Sequence, residues 1–192
     1  MYRCVTWLAL QSGKGLPSDS VLTNIAQNAR IEFLPKTVGR QIVKCDGQDV
    51  TFEIRRPLIN QMVSKVSSVA GVREALVKAQ QALAAGHNVI MDGRDAGTNI
   101  LPNAECKIFL TASVEERARR RLGQQRRLGL HQDMAAVIED IKNRDEQDAN
   151  RKINPLRPAE DAIVLDCTSL DFNQTVNKVL EIIEETKKMV KK

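Results

Sequence analysis

One stretch, residues 88–100, limits most strongly what this chain can fold into. It opens with Val89-Ile90-Met91, a continuous apolar run that follows Gly86, a residue typical of helix ends. Short continuous apolar runs are typical of strands buried on both faces of a parallel sheet. The sequence therefore predicts a central strand at 89–91 and, with it, an α/β fold.

Polar residues replace the apolar run abruptly at its carboxyl end. Asp92-Gly93-Arg94-Asp95 brings two carboxylates and one guanidinium to the edge where open α/β sheets bind their ligands. Gly93 and Gly97 allow the backbone to turn tightly beside them. Two interpretations fit these residues: a ligand-binding loop, or a polar loop whose acids cap the next element.

The composition predicts a globular protein of one domain. Hydrophobic residues make up 42% of the 192 residues and charged residues 28%, which is typical of a chain with one sizeable core. The formal net charge of +5 favours anionic ligands without separating nucleotides, nucleic acids and acidic proteins. Only 3% of the residues are aromatic, so platforms on which the bases of single-stranded nucleic acid could stack are scarce.

Cysteine spacing and the lengths of the apolar stretches argue against several protein classes. The four cysteines form no Cys-x-x-Cys pair, which argues against a zinc site or a disulfide framework and favours a reducing cytoplasm. No apolar stretch approaches the roughly 18 residues of a membrane span, and the opening residues lack the cleavage signal of a secretory leader. We therefore expect a cytoplasmic protein with no metal site of its own and no membrane partner.

Gly13-Lys14-Gly15 contains the Gly-Lys pair that ends a phosphate-binding P-loop, but the rest of that motif is absent. A P-loop requires a glycine where Leu8 stands and a serine or threonine where Gly15 stands, and it follows a strand. The sequence from about Tyr2 to Gln11 instead has the pattern of an amphipathic helix. We interpret residues 13–15 as the loop that ends this helix.

The first half of the chain predicts helices with a small β insertion between them. Short strands are predicted at about 31–33, 40–44 and 50–54, the last two joined by Asp46-Gly47, a strong hairpin signal. Such a hairpin interrupts the α/β alternation and predicts a small lobe. Two helices are predicted at about 57–68, with Leu58, Met62, Val66 and Val69 buried, and at about 72–85, with Val72, Leu76, Ala79 and Leu83 buried.

The second half begins with a predicted strand at about 107–110 and a helix that is rich in arginine. Ser113 and Glu116 form a capping box that starts this helix. Six arginines in eleven residues exceed what a solvated face requires, although Glu115 and Glu116 can pair with some of them. Two interpretations remain: a lid that closes on polyphosphate through bidentate guanidinium contacts, or a helix that binds RNA or DNA. The arginines are Arg117, Arg119, Arg120, Arg121, Arg126 and Arg127.

A helix predicted at about 134–150 places Arg144, Asp148 and Arg151 along one face, because they are four and then three residues apart. These residues form either an exposed ladder of ion pairs or a set of groups that binds a sugar hydroxyl and a phosphate together. The remaining predicted elements are a strand at about 162–165 and a helix at about 174–189 that packs through Val176, Val179, Leu180 and Ile183.

In their order and spacing, these segments resemble the bacterial cytidylate kinases of the nucleoside monophosphate (NMP) kinase family. The resemblance is collinear from Tyr2-Arg3 to the last helix and includes the hairpin insertion. The matching segments also include residues 72–76, 92–98, 107–110 and 144–151. The resemblance implies an α/β fold with a P-loop-kinase-like parallel sheet flanked by helices. It implies one domain over residues 1–192, with an NMP-binding insertion at about 36–70 and a lid at about 117–152.

Three of the matching residues concern the base. Ser64, Arg73 and Asp95 match the positions that recognise the cytosine ring. A serine, a guanidinium and a carboxylate can satisfy the carbonyl and the exocyclic amine of cytosine, and they reject other bases by leaving those groups unpaired. Without the resemblance, the pattern alone predicts exposure to solvent for Ser64 and Arg73.

Other matches concern the sugar, the phosphates and the reaction. Arg144 and Asp148 match the pair that holds the pentose. The arginines that match those on the acceptor phosphate are Arg3, Arg94 and Arg151. Arg120 and its neighbours match the lid. Together with Arg94 and Arg151, Arg120 is expected to stabilise the phosphoryl group as it passes from ATP, which carries Mg²⁺.

The sequence departs from the family at its start. The family has a strand and a Gly-rich P-loop well before its Tyr-Arg dipeptide, whereas Tyr2-Arg3 here follows Met1 directly. We therefore expect the first and central strand of the sheet to be missing, the P-loop to be absent, and this chain to be a poor kinase by itself. A start assigned at an internal methionine is favoured over a true short product.

Three functions remain open. The leading one is phosphoryl transfer from ATP to CMP or dCMP by a monomeric cytoplasmic enzyme. The second is an inactive remnant that still binds CMP. The third is a basic protein that binds nucleic acid through its arginine helix, and the shortage of aromatic residues counts against it. We expect CMP or dCMP and ATP as partners, and neither nucleic acid nor membrane.

Overall fold

A computed structural model describes residues 1–34, 41–127, 129, 131–151 and 153–190 of the chain. The residues form two compact units, Met1–Val89 and Ile90–Lys192. Helices and short strands occur in both units, and the second contains a small parallel sheet. The α/β class predicted from the sequence is therefore confirmed.

The secondary structure follows most of the predicted order. In the first unit, the helices are α1 (Tyr2–Leu10), α2 (Asp19–Asn28), α3 (Pro57–Ser68) and α4 (Ala70–Ala84), the strands are β1 (Ile31–Leu34), β2 (Ile42–Cys45) and β3 (Gln48–Asp49), and a 3-10 turn covers Glu53–Arg55. In the second unit, a π-helix (Ala96–Ile100) precedes β4 (Ile108–Thr111), α5 (Val114–Arg126), α6 (Met134–Ala149), β5 (Ile163–Asp166) and α7 (Phe172–Val190). Among the residues that the structure describes, no helix combines the length and the apolar character needed to cross a membrane.

Strands β2 and β3 form the predicted hairpin. Cys45 pairs with Gln48, which leaves Asp46 and Gly47 as a two-residue turn. Both turn residues have positive φ angles, 49° and 82°, as a type I′ turn requires. Because β1 pairs antiparallel with β2, the sheet has three strands in the order β1-β2-β3.

The strand predicted at 50–54 is wrong. β3 ends at Asp49, and the chain then turns into the 3-10 segment. The hydroxyl of Thr51 accepts a hydrogen bond from the Val43 amide (2.9 Å), where a strand would offer a backbone carbonyl. A side chain thus replaces the backbone partner, which is how threonine competes with regular secondary structure. Of the strand predicted at 40–44, residue 40 lies outside the described residues.

Close helix packing shapes the core of the first unit. Gly71 of α4 faces Thr23 of α2 so closely that an added Cβ atom would collide with the threonine side chain. The absence of a side chain at residue 71 therefore allows these two helices to approach. The fully buried apolar residues of this core include Val5, Leu22, Cys45, Val66, Val72 and Leu76.

Helix α3 buries the predicted Val66, and Val69 directly after it is also buried as predicted, but the rest of its buried face differs from the prediction. Its buried residues are Ile59, Val63 and Val66, whereas Leu58 is 51% exposed. Apolar residues stand on both candidate faces, and a shift of one residue turns a helix by about 100°. Periodicity alone therefore could not select the face. In α4, the predicted Val72 and Leu76 are buried and Leu83 is exposed.

The second unit contains a parallel pair of strands and a helical hairpin. β4 and β5 pair from Ile108 with Ile163 to the ends of both strands. Helix α5 starts at the predicted cap, where the Ser113 hydroxyl accepts a hydrogen bond from the Glu116 amide (3.2 Å). Helices α5 and α6 share a small core of Ala118, Leu122, Val137 and Ile141.

The central strand predicted at Val89-Ile90-Met91 does not form. These residues belong to no strand, and Ile90 is 99% exposed. A strand requires a neighbour that pairs with its backbone groups. Within the described ranges, no strand pairs with this segment. The prediction is wrong because an apolar run indicates the burial that a strand would need and not the presence of that neighbour.

Helix α7 is less buried than its pattern predicts. Val179 and Ile183 are half-buried, but Val176 is 39% exposed and Leu180 is 54% exposed. The apolar face of the helix is therefore covered only in part within the described residues. The expectation that all four residues close the domain is not met.

Alanine at Gly71 is expected to destabilise the fold, whereas alanine at Gly123 is expected to stabilise it. Both glycines lie in helices, but an added Cβ collides with Thr23 at residue 71 and meets open space at residue 123. We expect Gly71→Ala to lower the free energy of unfolding by about 1–3 kcal/mol and Gly123→Ala to raise it by about 0.5–1 kcal/mol. Urea unfolding followed by circular dichroism measures both changes. An unfolding free energy raised by Gly71→Ala would contradict the close packing of α2 on α4.

Candidate functional site

The buried carboxylate of Asp148, on α6, lies close to three arginines. Arg94 Nε donates to Asp148 Oδ2, Arg151 Nη2 pairs with Asp148 Oδ1, and Arg144 Nε lies 4.0 Å from Oδ2. The Asp148 side chain is 6% exposed, whereas the side chains of Arg94 and Arg144 are 39% exposed. We call these four residues the Asp148 cluster. Its formal charge has an excess of two positive charges.

Helix geometry and one loop assemble the Asp148 cluster. Arg144 and Asp148 are one turn apart on α6, and Arg151 lies two residues beyond Ala149, where the helix ends. The predicted alignment along one helix face is therefore confirmed for Arg144 and Asp148, whereas Arg151 lies beyond the helix and joins them through its ion pair with Asp148. Arg94 comes from the loop at 92–95, which lies 54 residues earlier in the chain than Asp148. The polar loop singled out in the sequence thus brings a guanidinium to residues 144–151, the segment that carries the other three groups.

The π-helix follows directly after Arg94 and Asp95. The Asp95 carbonyl accepts hydrogen bonds from the amides of Asn99 (3.0 Å) and Ile100 (3.2 Å). The Asp95 carboxylate does not cap this helix; it is buried, and Asn99 Nδ2 donates to it (3.4 Å). The interpretation of Asp95 as a capping acid is therefore wrong for its side chain. Single-turn π-helices are rare and often lie at functional sites.

Burial and neighbouring charges act on Arg94. Burial lowers the pKa of its guanidinium, Asp145 raises it, and Arg117 lowers it again. Arginine nevertheless stays protonated in proteins. Arg94 is therefore a fixed positive charge in a partly desolvated place, where a bound anion interacts with it more strongly than in water.

Arg120, assigned to a lid by resemblance, is anchored inside the second unit. Its guanidinium donates to the carbonyls of Cys167 (2.7 Å) and Leu170 (3.0 Å) and to the Glu116 carboxylate (2.7 Å). The other carboxylate partners of α5 arginines are Glu116 for Arg119 (2.7 Å), Asp145 for Arg117 (2.6 Å) and Asp140 for Arg121 (3.5 Å). Four of the six arginines are therefore paired with carboxylates of their own unit, and they require no external polyphosphate.

In the first unit, the arginine matched to the base is buried. Arg73 is 2% exposed, its Cζ lies 5.5 Å from the centroid of the Tyr2 ring, and its Nη1 donates to the Ser67 carbonyl (3.3 Å). A cation over an aromatic face recovers part of the free energy lost on desolvation. The exposure predicted from the pattern alone is therefore wrong for Arg73. Ser64, one turn earlier on α3 than Ser67, is half-buried.

Arg3 is held by groups that precede and begin α3. Its Nη1 donates to the Ile54 carbonyl (3.0 Å) and contacts Asn60 Oδ1. Burial lowers the pKa of Arg3, and the like charge of Arg55 lowers it further. Arg3 is therefore a partly buried cation with a defined orientation on α1.

Comparison with known proteins identifies the family. The family model described as cytidylate kinase matches residues 1–185. The chain belongs to the cytidylate kinase family. The cytidylate kinase of Bacillus velezensis is 45% identical over 185 residues, which are 96% of this chain and 82% of the relative. Those of Lactobacillus johnsonii (42% identical, covering 98% and 81%) and Caldicellulosiruptor bescii (46% identical, covering 95% and 80%) are similarly related.

Sequence reasoning missed two residues of this cytidylate kinase family member. Tyr2 belongs to a predicted helix and to the start of the family match, but no pattern in the sequence connects it with Arg73. Asp145 was one of several acids on α6. Its place three residues before Asp148 could have singled it out, because such residues are neighbours on a helix surface.

The structure also bears on metal binding. Within the ranges that the structure describes, no group of three or more His, Cys, Asp or Glu side chains could hold a metal ion.

Replacing Glu116 by glutamine is expected to change how stability depends on pH. Hydrogen bonds from Arg119 and Arg120 lower the pKa of Glu116 from 4.5 to about 2. Because the folded-state pKa is depressed, the stabilisation is present above pH 4.5 and is lost as the pH falls towards 2. The urea midpoint of the wild type should exceed that of Glu116→Gln near neutral pH, and the difference should shrink through this window.

The adjacent Glu115 supplies a matched control for this experiment. It lies in the same first turn of α5 and is exposed. Glu115→Gln should therefore show a smaller difference from the wild type at every pH. A wild-type advantage over Glu116→Gln that stayed constant down to pH 2 would contradict the assigned ion pairs.

Proposed function

We propose that this member of the cytidylate kinase family binds CMP or dCMP and serves phosphoryl transfer to it from ATP. The observation that carries the proposal is the Asp148 cluster. Its formal excess of two positive charges suits a phosphate monoester, which carries about −1.5 to −2 charges near neutral pH. The relatives named as cytidylate kinases support cytidylate as the acceptor.

Arg94 and Arg151 are the proposed ligands of the acceptor phosphate in the second unit. Arg94 uses Nε on Asp148, and its two Nη groups make no hydrogen bond to any described residue. They can therefore donate to phosphate oxygens, in the bidentate way that guanidinium groups favour. Asp148 orients Arg94 for this contact. In the first unit, Arg3 is proposed as a further phosphate ligand on the strength of the family match alone.

Arg144 and Asp148 are the proposed pentose pair. A carboxylate can accept a hydrogen bond from a sugar hydroxyl, but both Asp148 oxygens already bind arginines. Each carboxylate oxygen can accept a second hydrogen bond, but a sugar hydroxyl that binds Asp148 then shares the oxygen with an arginine and weakens that contact. A bound phosphate offers that arginine a new partner, so occupation of the phosphate site and of the pentose site should be coupled.

The proposed base ligands are Ser64, Arg73 and Asp95. The burial of Asp95 supports this role, because a carboxylate shielded from water discriminates strongly between a base that donates a hydrogen bond and one that does not. The exocyclic amine of cytosine is such a donor. Arg73 is held in one orientation by Tyr2 and by the Ser67 carbonyl, which reduces the entropy lost when it binds.

The transfer step is proposed to depend on positioning and charge. Arg94, Arg151 and Arg120 are the groups assigned to the transferred phosphoryl, and Mg²⁺ accompanying ATP supplies further neutralisation of the donor phosphates. For Arg120, this role requires release from the Cys167 and Leu170 carbonyls. We also propose the finer family architecture, a P-loop-kinase-like domain over residues 1–192 with an NMP-binding insertion at about 36–70 and a lid at about 117–152.

Replacing Arg94 by methionine is expected to weaken CMP binding about 10- to 100-fold, because hydrogen bonds to charged groups contribute about 1.5–3 kcal/mol. Isothermal titration of CMP into the wild type and the variant measures this loss. Arg157→Met is the control, because it removes the same charge from an exposed residue of the second unit outside the Asp148 cluster. Equal affinity of wild type and Arg94→Met would contradict the assignment.

The transfer step requires a separate measurement. A coupled assay with ATP, Mg²⁺ and CMP reports formation of ADP. ADP formation that depends on CMP supports the kinase proposal. CMP binding without ADP formation would support the acceptor site but contradict phosphoryl transfer by this chain.

A further inference from the structure

A second ion pair lies beside the Asp148 cluster. Arg117 of α5 donates through Nη1 to Asp145 Oδ2 of α6 (2.6 Å) and through Nε to the Ala112 carbonyl (3.0 Å). Both side chains of the pair are about one third exposed, at 35% and 34%. The pair therefore connects the two helices at the edge of solvent, and the Ala112 contact fixes the plane of the guanidinium.

The register of α6 places this pair next to Asp148. Asp145 and Asp148 are three residues apart on one helix, so their side chains are neighbours on its surface. Arg94 contacts Asp148 directly, and both Asp145 and Arg117 lie within its electrostatic range. Four guanidinium groups and two carboxylates thus occupy one region of the second unit.

We propose that Asp145 is a positioning residue of the anion site: by binding Arg117, it keeps this fourth guanidinium away from Asp148 and leaves Asp148 to orient Arg94 and Arg151. This inference rests on the proposed phosphate-binding role of the Asp148 cluster. Asp148 has two oxygens, and Arg94 and Arg151 each contact one of them. A fourth arginine without its own carboxylate would compete for these oxygens and displace the phosphate ligands.

Positioning and net charge predict opposite effects of Asp145→Asn on the affinity for an anion. Asp145→Asn removes a negative charge close to the site, so charge alone would strengthen the binding of an anion. Positioning has the opposite effect, because the released Arg117 competes with Arg94 for Asp148. The direction of the change in affinity therefore decides between the two effects.

A second substitution tests whether Arg117 is the competing group. Arg117→Gln in the Asp145→Asn background removes the released guanidinium and restores the net charge of the wild type. If competition by Arg117 causes the loss, the double variant regains affinity. If the loss comes from weaker packing of α5 on α6, the double variant stays weak, because the ion pair between the helices is still missing.

The experiment uses the full chain and two probes, inorganic phosphate and CMP. Phosphate affinity is taken from the rise of the thermal unfolding midpoint with phosphate concentration, and CMP affinity from isothermal titration. Interaction energies within charged networks of about 0.5–3 kcal/mol correspond to affinity changes centred near tenfold, so we expect Asp145→Asn to weaken phosphate binding about tenfold. The double variant should return to within about twofold of the wild type, since additivity errors are of that size.

Asp140→Asn is the matched control. Asp140 also pairs an α6 carboxylate with an α5 arginine, Arg121, but at 3.5 Å and with 57% of its side chain exposed. Its removal should leave the affinity for phosphate unchanged. A loss of affinity in Asp140→Asn equal to that in Asp145→Asn would show that any ion pair between these helices has the same effect, and would overturn the proposal.

The other possible outcomes distinguish a failure of the positioning role of Asp145 from a failure of the proposed nucleotide binding. Phosphate binding that is equal or tighter in Asp145→Asn overturns the positioning role, and so does a double variant that remains weak. A wild type that binds phosphate but not CMP rejects the proposed nucleotide and leaves the Asp145 test valid with phosphate. A wild type that binds neither probe rejects the anion site and the positioning role together.

Discussion

The attraction between one buried carboxylate and its arginines organises the second unit. Asp148 is almost completely removed from water, and an ionised carboxylate in that position must be paired. The arginines that pair with it come from α6, from a position two residues beyond its end, and from a loop far away in the sequence. Pairing Asp148 therefore also fixes the loop that carries Arg94 and Asp95, and the π-helix that follows starts from a defined point.

The same balance of charges separates two kinds of arginine. Most arginines of α5 form ion pairs with Glu116, Asp140 or Asp145. They therefore hold helices and carbonyls of their own unit together. In the Asp148 cluster, three arginines share a single carboxylate. An arginine-rich sequence is thus a poor guide to ligand binding by itself, because the number of carboxylates within reach decides which guanidinium groups can serve an anion.

Local signals in the sequence predicted local structure well. Asp46-Gly47 specified a hairpin through its backbone preferences, Ser113 specified the start of a helix, and the spacing of Arg144 and Asp148 specified their alignment. The family followed from the collinear order of several short motifs. These features depend on residues that are close in sequence or on their order, and both can be read without coordinates.

Features that depend on distant partners were not predictable in this way. The apolar run at 89–91 could not show whether a neighbouring strand pairs with it, and the apolar residues of α3 could not show that Ile59 and Val63 are covered and Leu58 is not. In the candidate site, the hydrogen bonds of Arg120 to Cys167 and Leu170 and the stacking of Arg73 on Tyr2 join segments that no periodicity relates. Their prediction requires the fold itself.

The origin of the Asp148 cluster has a consequence for the order of folding. Three of its four members lie within eight consecutive residues, 144–151, so their spacing is set as soon as one helical segment forms, at little cost in loop entropy. Arg94 must cross a separation of 54 residues to join them. Helix α6 should therefore present a partly neutralised Asp148 early, and arrival of the 92–95 loop should complete the cluster late, as a step that reports on the tertiary fold of the second unit.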